Sequence, residues 1–127
     1  MRSAQLRDVC LALAGAVETF PFGPETSVFK VEGKMFALSQ LASSDRRVSL
    51  KCEPQLAEQL RATHAAVIPG YHLDKRHWNT VIIDGSLPDR MIEEMVEDSY
   101  DLVVSKLPLS KRKALGWLPE RLREAQK

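Results

Sequence analysis

The side chains able to do chemistry are most concentrated in fourteen residues, Tyr71–Asp84. The stretch holds His72 and His77, the cations Lys75 and Arg76, the carboxylates Asp74 and Asp84, and Trp78. It then runs into Thr80-Val81-Ile82-Ile83, a β-branched run of the kind that forms a buried strand. The spacings do not describe a reaction. His72 and His77 are five apart, which fits no pair of metal ligands on a helix face, and no cysteine accompanies them. Adding Asp74 gives only three potential ligands in a turn, so hydrogen bonding is expected there and no metal. The chain has no Gly-x-Ser-x-Gly elbow, no glycine-rich phosphate loop and no His-Glu-x-x-His. Glu93-Glu94 and Glu97-Asp98 fall on the solvated face of a helix, whereas general acids with raised pKa sit in clefts. No catalytic residue and no cofactor are assigned.

Cations carry more of the signal. Lys30 and Lys51 lie on strands, opposite inward-facing apolar neighbours. Lys34 and the pair Arg46/Arg47 cap two turns, and Lys75, Arg76 and His77 precede the last strand. If those strands are neighbours, the groups gather on the exposed face and loop tips of one sheet. Trp78 beside them would either stack on a base or support the fold. Hairpin tips of this charge reach phosphates. The competing arrangement is a solvated sheet face with Trp78 in the core.

Positioning these residues requires one domain. The chain has 127 residues, 44% of them apolar and 28% charged, an ordinary globular balance. A chain of this length buries roughly two-thirds of its unfolded surface, enough for a core without metals or disulfides. Eighteen Lys/Arg against seventeen Asp/Glu leave a net charge of +1, so an anionic partner would have to meet a local patch. Cys10 and Cys52 are far apart in apolar surroundings and read as buried free thiols of a reduced, cytoplasmic compartment. The apolar run Val9–Val17 imitates a signal peptide, but Asp8 interrupts the approach and the apolar residues fall at helical intervals. No run approaches the roughly 20 apolar residues that span a bilayer.

Ser3 is positioned to cap a first helix whose Leu6, Val9, Cys10, Leu13 and Val17 share one face, ending by Thr19. Phe20 and Phe22, in a stiff proline–glycine loop, are expected to plug the edge of the core. Strands at Ser27–Glu32, Lys34–Leu41 and Arg47–Cys52 form an antiparallel meander, with Gly33 supplying the hairpin turn. A short helix follows at Glu53–Ala62, opened by Pro54, then a loop at Ala65–Gly70 and a strand from Trp78 to Ile83. The long helix has Ser86 and Asp89 placed like a capping box. Its apolar stripe is Met91, Ile92, Met95, Val96, Ser99, Leu102 and Val103, and Pro108 ends it. The tail contains Lys111-Arg112-Lys113 and an amphipathic piece around Leu118–Ala125. Residues 1–127 therefore read as a single α+β domain, a two-layer sandwich with helices packed on one face of an antiparallel sheet.

The residues that recur in this order resemble the MmcQ/YjbR family. They are Phe20-Pro21-Phe22-Gly23, Val28-Phe29-Lys30-Val31, Gly33-Lys34-Met35-Phe36-Ala37, Leu50-Lys51-Cys52-Glu53-Pro54, the run Pro69–Thr80, and Ser99-Tyr100-Asp101-Leu102-Val103 before Lys106-Leu107-Pro108. Asp74 departs from a pattern that often has Asn; it removes a donor and adds negative charge beside the cations. The resemblance implies a compact α+β fold similar to that of the bacterial frataxin homologue, and a DNA-binding role with paired hairpin wings. Frataxin-like iron binding is not carried over, because it needs an acidic first helix and Ser3–Val17 has only Asp8.

The expected function is DNA binding without catalysis, through Lys30, Lys34, Arg46, Arg47, Lys51, Lys75, Arg76, His77 and Trp78, with no membrane partner. The alternative is a protein- or small-molecule-interaction domain with an aromatic-lined pocket around Tyr71–Trp78 and Phe20–Phe22.

Overall fold

A computed structural model describes residues 1–44, 46–70 and 73–119. Ten elements follow in order: α1 (Ser3–Leu11), β1 (Ala16–Thr19), β2 (Ser27–Val31), β3 (Lys34–Ser39), β4 (Arg47–Lys51), α2 (Pro54–Thr63), β5 (Val67–Pro69), β6 (Trp78–Ile82), α3 (Asp89–Val104) and α4 (Leu109–Ala114). The strands form one antiparallel sheet in the order β1-β2-β3-β4-β6-β5. Helices α1, α2 and α3 lie against it, and the core between the layers is built on Leu6, Phe29, Phe36, Val48, Ile92 and Val96. This is the expected α+β arrangement.

Among the described residues, six strands form where four were expected. The first helix stops at Leu11 rather than running to Val17. Ala12 caps the helix, and Gly15 then takes φ +73°, a left-handed conformation that lets the chain turn into β1. Val17 thus belongs to an edge strand and is 52% exposed. The expected loop at Ala65–Gly70 contains β5, whose Pro69 is tolerated because the strand lies at the sheet edge. Between β2 and β3 the turn residues Glu32 and Gly33 both have positive φ, as a tight two-residue hairpin demands.

Several expected caps and plugs are otherwise employed. Ser3 is the first residue of α1, and its hydroxyl donates to the Leu41 carbonyl. Ser86 bonds Asp84 through its backbone N–H and hydroxyl, closing the turn before α3, so no capping box with Asp89 forms. Phe20 and Phe22 are exposed rather than plugging the core. Most of the amphipathic tail piece Leu118–Ala125 lies outside the described residues.

The tie between the layers is Ser99, which is fully buried on α3. The β2–β3 register shifts after Phe29↔Ala37 to Lys30↔Met35, leaving Phe36 as an extra residue, a β-bulge. The last β3–β4 pair is Ala37↔Leu50. Beyond it the Ser99 hydroxyl donates to the Phe36 carbonyl (2.6 Å) and accepts from the Lys51 N–H (2.9 Å). One helix side chain thus replaces a ladder bond. One residue on, Tyr100 meets Phe36 edge-to-face at 5.5 Å and donates its hydroxyl to the Ala14 carbonyl. Replacing Ser99 with Ala would strand a donor and an acceptor in the core. We expect Ser99→Ala to lose about 1–3 kcal/mol, seen as a lower urea midpoint at an unchanged m-value.

Candidate functional site

Side-chain direction on β4 and β6 alternates, and the alternation divides the chemistry. Val48, Leu50 and Val81 belong to the core, while Ser49, Lys51, Trp78 and Thr80 take the other face. On that face the hydroxyls of Ser49 and Thr80 bond each other at 2.9 Å. Lys51 lies opposite Trp78 in register, and Lys30 lies opposite Met35.

Where β3 and β4 part beyond Ser99, a cleft of about 460 Å³ opens at the end of the sheet. Three ammonium groups line it: Lys34 from the start of β3, Lys51 from the end of β4, and Lys106 just after α3. Met35, Val103 and Leu107 supply apolar surface and Trp78 a further wall. Among the described residues no carboxylate lines it. Lys106 was not among the expected contacts, because nothing in its local sequence ties it to two strands more than fifty residues upstream.

The other expected residues divide between this end and the far one. Lys75 lies near the cleft, its ammonium 3.4 Å from the carbonyl of Gly70, whose own N–H donates to the Trp78 carbonyl. Arg76 is exposed in the same turn. Arg47 stands at the opposite end of β4, four residues from Lys51 and therefore about 13 Å away at ~3.3 Å per residue. Arg46 is next to it, donating to the Met1 carbonyl at 3.1 Å. The cations therefore do not form one continuous patch.

Trp78 is buried, 8% exposed. That burial leaves no open ring face for a stacked base, so its part is to support the wall. Gly70 presses on it: a Cβ there would meet Trp78 Cβ at 2.8 Å and its carbonyl oxygen at 3.0 Å. Gly70→Ala would force backbone apart, and we expect a loss of about 1–3 kcal/mol, read from thermal unfolding together with a changed tryptophan emission.

The loop before β6 is organised by Asp74. Its carboxylate pairs with His77 Nδ1 at 2.7 Å and accepts the Arg76 N–H at 2.9 Å. The His77 carbonyl accepts the Cys52 N–H, so the turn is pinned to the end of β4. These contacts, first His77 and then Arg76, hold the Asp74 carboxyl below its ordinary value of 3.8. A carboxyl lowered by folding stabilises the loop above its ordinary value and ceases to do so as pH falls through the lowered one. An NMR titration of the Asp74 carboxyl should therefore give a midpoint below 3.8, and a midpoint at or above it would refute this arrangement. Tyr71 and His72 lie outside the described residues.

The aromatic pocket expected from Tyr71–Trp78 together with Phe20–Phe22 does not assemble from the described residues. Phe20 follows β1 and Trp78 begins β6, four strand positions across the sheet, or roughly 19 Å at ~4.8 Å per strand.

Cys10 is buried, while Cys52 is only half-buried rather than fully so. Burial first, then Glu18, pushes the Cys10 thiol up to about 12. Burial, Asp98 and Glu53 also raise Cys52, so neither thiol is activated as a nucleophile. Cys52 lines a separate cavity of about 350 Å³ on the helix side, with Glu53, Asp98 and Asp101, an acidic lining unsuited to anions. Among the described residues no group of three or more His, Cys, Asp or Glu could hold a metal ion. No described helix is long and apolar enough to cross a membrane.

Sequence and structure comparisons agree on the relatives of this chain. The Escherichia coli K12 protein YjbR is 42% identical over 115 residues, covering 91% of this chain and 98% of its own. YbdF of Escherichia coli O157:H7 is 35% identical, covering 69% of this chain and 72% of its own. Both carry names that describe them as uncharacterised. The crystal structure of the Deinococcus radiodurans protein DR2400, with a DUF419 domain, superposes with a TM-score of 0.86 at 41% identity, over 92% of this chain and 89% of that one. A Pseudomonas syringae protein superposes with a TM-score of 0.70 at 27% identity, over 80% of this chain and 98% of its own. The YjbR family model matches residues 11–102, which include α3 as far as Leu102 and every strand of the sheet, and the chain belongs to the YjbR family.

Proposed function

We propose that this domain binds nucleic acid, DNA in particular, through the phosphate backbone and without catalysis, using the end of the sheet where β3 starts and β4 stops. The observation that carries this reading is the convergence of Lys34, Lys51 and Lys106 on one cleft, with no carboxylate among the described residues of its lining. Lys30, opposite Met35 in register, and the turn bearing Lys75 and Arg76 extend the cationic surface on either side. Lys113 adds a further exposed cation on α4. With a net charge of only +1, attraction to a polyanion rests on this local cluster of lysines.

Within this reading the nine expected contacts have unequal duties. Lys30, Lys34, Lys51, Lys75 and Arg76 reach phosphates, His77 holds the turn with Asp74, and Trp78 supports the cleft. Arg46 and Arg47 stand apart and contribute little. Each phosphate neutralised changes the slope of log affinity against log salt by about 0.9. Fluorescence anisotropy with labelled duplex and single-stranded DNA is the test. Replacing Lys34, Lys51 and Lys106 together by Ala should reduce that slope by about 2–3. Arg47→Ala should leave it unchanged. Binding that is absent at low salt, or indifferent to salt, would end this reading.

A further inference from the structure

We propose that the cleft formed by Lys34, Lys51 and Lys106 is a pocket for a phosphate monoester, the terminal phosphate of a nucleotide or strand end, in preference to an internal phosphodiester. This rests on the proposed nucleic-acid reading for its polymer form, but the pocket's chemistry stands on the cleft alone.

The cleft's shape suits a small group. Its volume of about 460 Å³ falls in the range of small-ligand sites, roughly 300–1,000 Å³. The exposed turn bearing Lys75 and Arg76 can follow a backbone along its length, whereas a recess beside it is filled best by a group that ends there. Charge points the same way. An internal phosphodiester carries a single negative charge, whereas a terminal phosphate carries about −1.5 to −2 at neutral pH and three acceptor oxygens. Three ammonium groups, each with three rotatable donors, more than offset that dianion's charge and can saturate its acceptor oxygens. The described lining adds no carboxylate to oppose it.

The apolar part of the lining decides what the phosphate is attached to. Half-buried Met35 offers apolar surface suited to a sugar, where inorganic phosphate would leave it unused, and the buried Val103, Leu107 and Trp78 form the wall behind it. The geometry is preset as well. Ser99 bonds the Lys51 N–H and Val103 sits one turn further along the same helix, while Gly70 backs Trp78. The three lysines come from two strands and the turn after α3, so the pocket exists only in the assembled fold.

Titration calorimetry and anisotropy on the full chain, at fixed ionic strength, provide the test. The probes are adenosine monophosphate against adenosine, and one oligonucleotide bearing either a 5′-phosphate or a 5′-hydroxyl. The monophosphate should bind where adenosine does not. The phosphorylated strand should bind about tenfold tighter, the order expected for added charge-assisted hydrogen bonds. That advantage should fade as pH falls through about 6, where the phosphate takes up its second proton. The conservative variant Lys51→Gln and the surface variants Lys34→Gln and Lys106→Gln should each reduce the advantage while keeping the native circular dichroism spectrum. Equal binding of the two strands, or a phosphate advantage that persists in all three variants, would overturn the proposal. Equal but salt-dependent binding of both strands would do so while leaving the nucleic-acid reading intact. Binding of the monophosphate with no strand bound would uphold the pocket and refute that reading.

Discussion

The hydroxyl of Ser99 fills a position where two strands would otherwise bond each other. It satisfies the Phe36 carbonyl released by the β-bulge and the Lys51 N–H at the last residue of β4. Because a buried backbone group without a partner is costly, the bulge, the end of the β3–β4 ladder and the axial position of α3 are tied together. Tyr100 extends the tie to the turn before β1 through the Ala14 carbonyl. Small size matters here as much as polarity, since a larger residue at 99 would hold the helix off the sheet.

The same substitution of a helix hydroxyl for a ladder bond explains the cleft. Past the Ala37↔Leu50 pair the strands are free to diverge, and the space between them is lined by the residues at their loose ends. Lys34 and Lys51 are terminal strand residues, and Val103 enters because it lies one helical turn beyond Ser99. The recess is thus a consequence of how the layers are joined. Charge is equally local: lysines gather at the recess while Glu93, Glu94, Glu97, Asp98 and Asp101 run along α3, so a net charge of +1 conceals a basic cleft.

What was legible along the chain was whatever depends on near neighbours. The strand read at Arg47–Cys52, which runs to Lys51, the turn at Gly33, Pro54 opening α2 and the apolar stripe of α3 are all local, and each appears where expected to within a residue. The elements missed are those without a local pattern. β1 has four residues and β5 three, too short for alternation to register, and each is a strand only because a longer neighbour offers it a ladder. Phe20 and Phe22 resembled core plugs by composition, but β1 extends the sheet and leaves both exposed.

The sequence by itself determined the α+β class, the family and the identity of most cations at the site, because residue type, turn chemistry and periodicity are written locally. Only the tertiary structure decided which cations meet. Arg46 and Arg47 adjoin each other in sequence at the far end of β4, whereas Lys34, Lys51 and Lys106 are brought to one recess by strand register and by the helix that Ser99 holds in place. The crowded segment Tyr71–Asp84 shows the same division. Its reactive side chains were plain to read, yet burial of Trp78 beneath Gly70 and pairing of His77 with Asp74 assign two of them to building the site. Register and burial join residues far apart in the chain, and no local spacing encodes them.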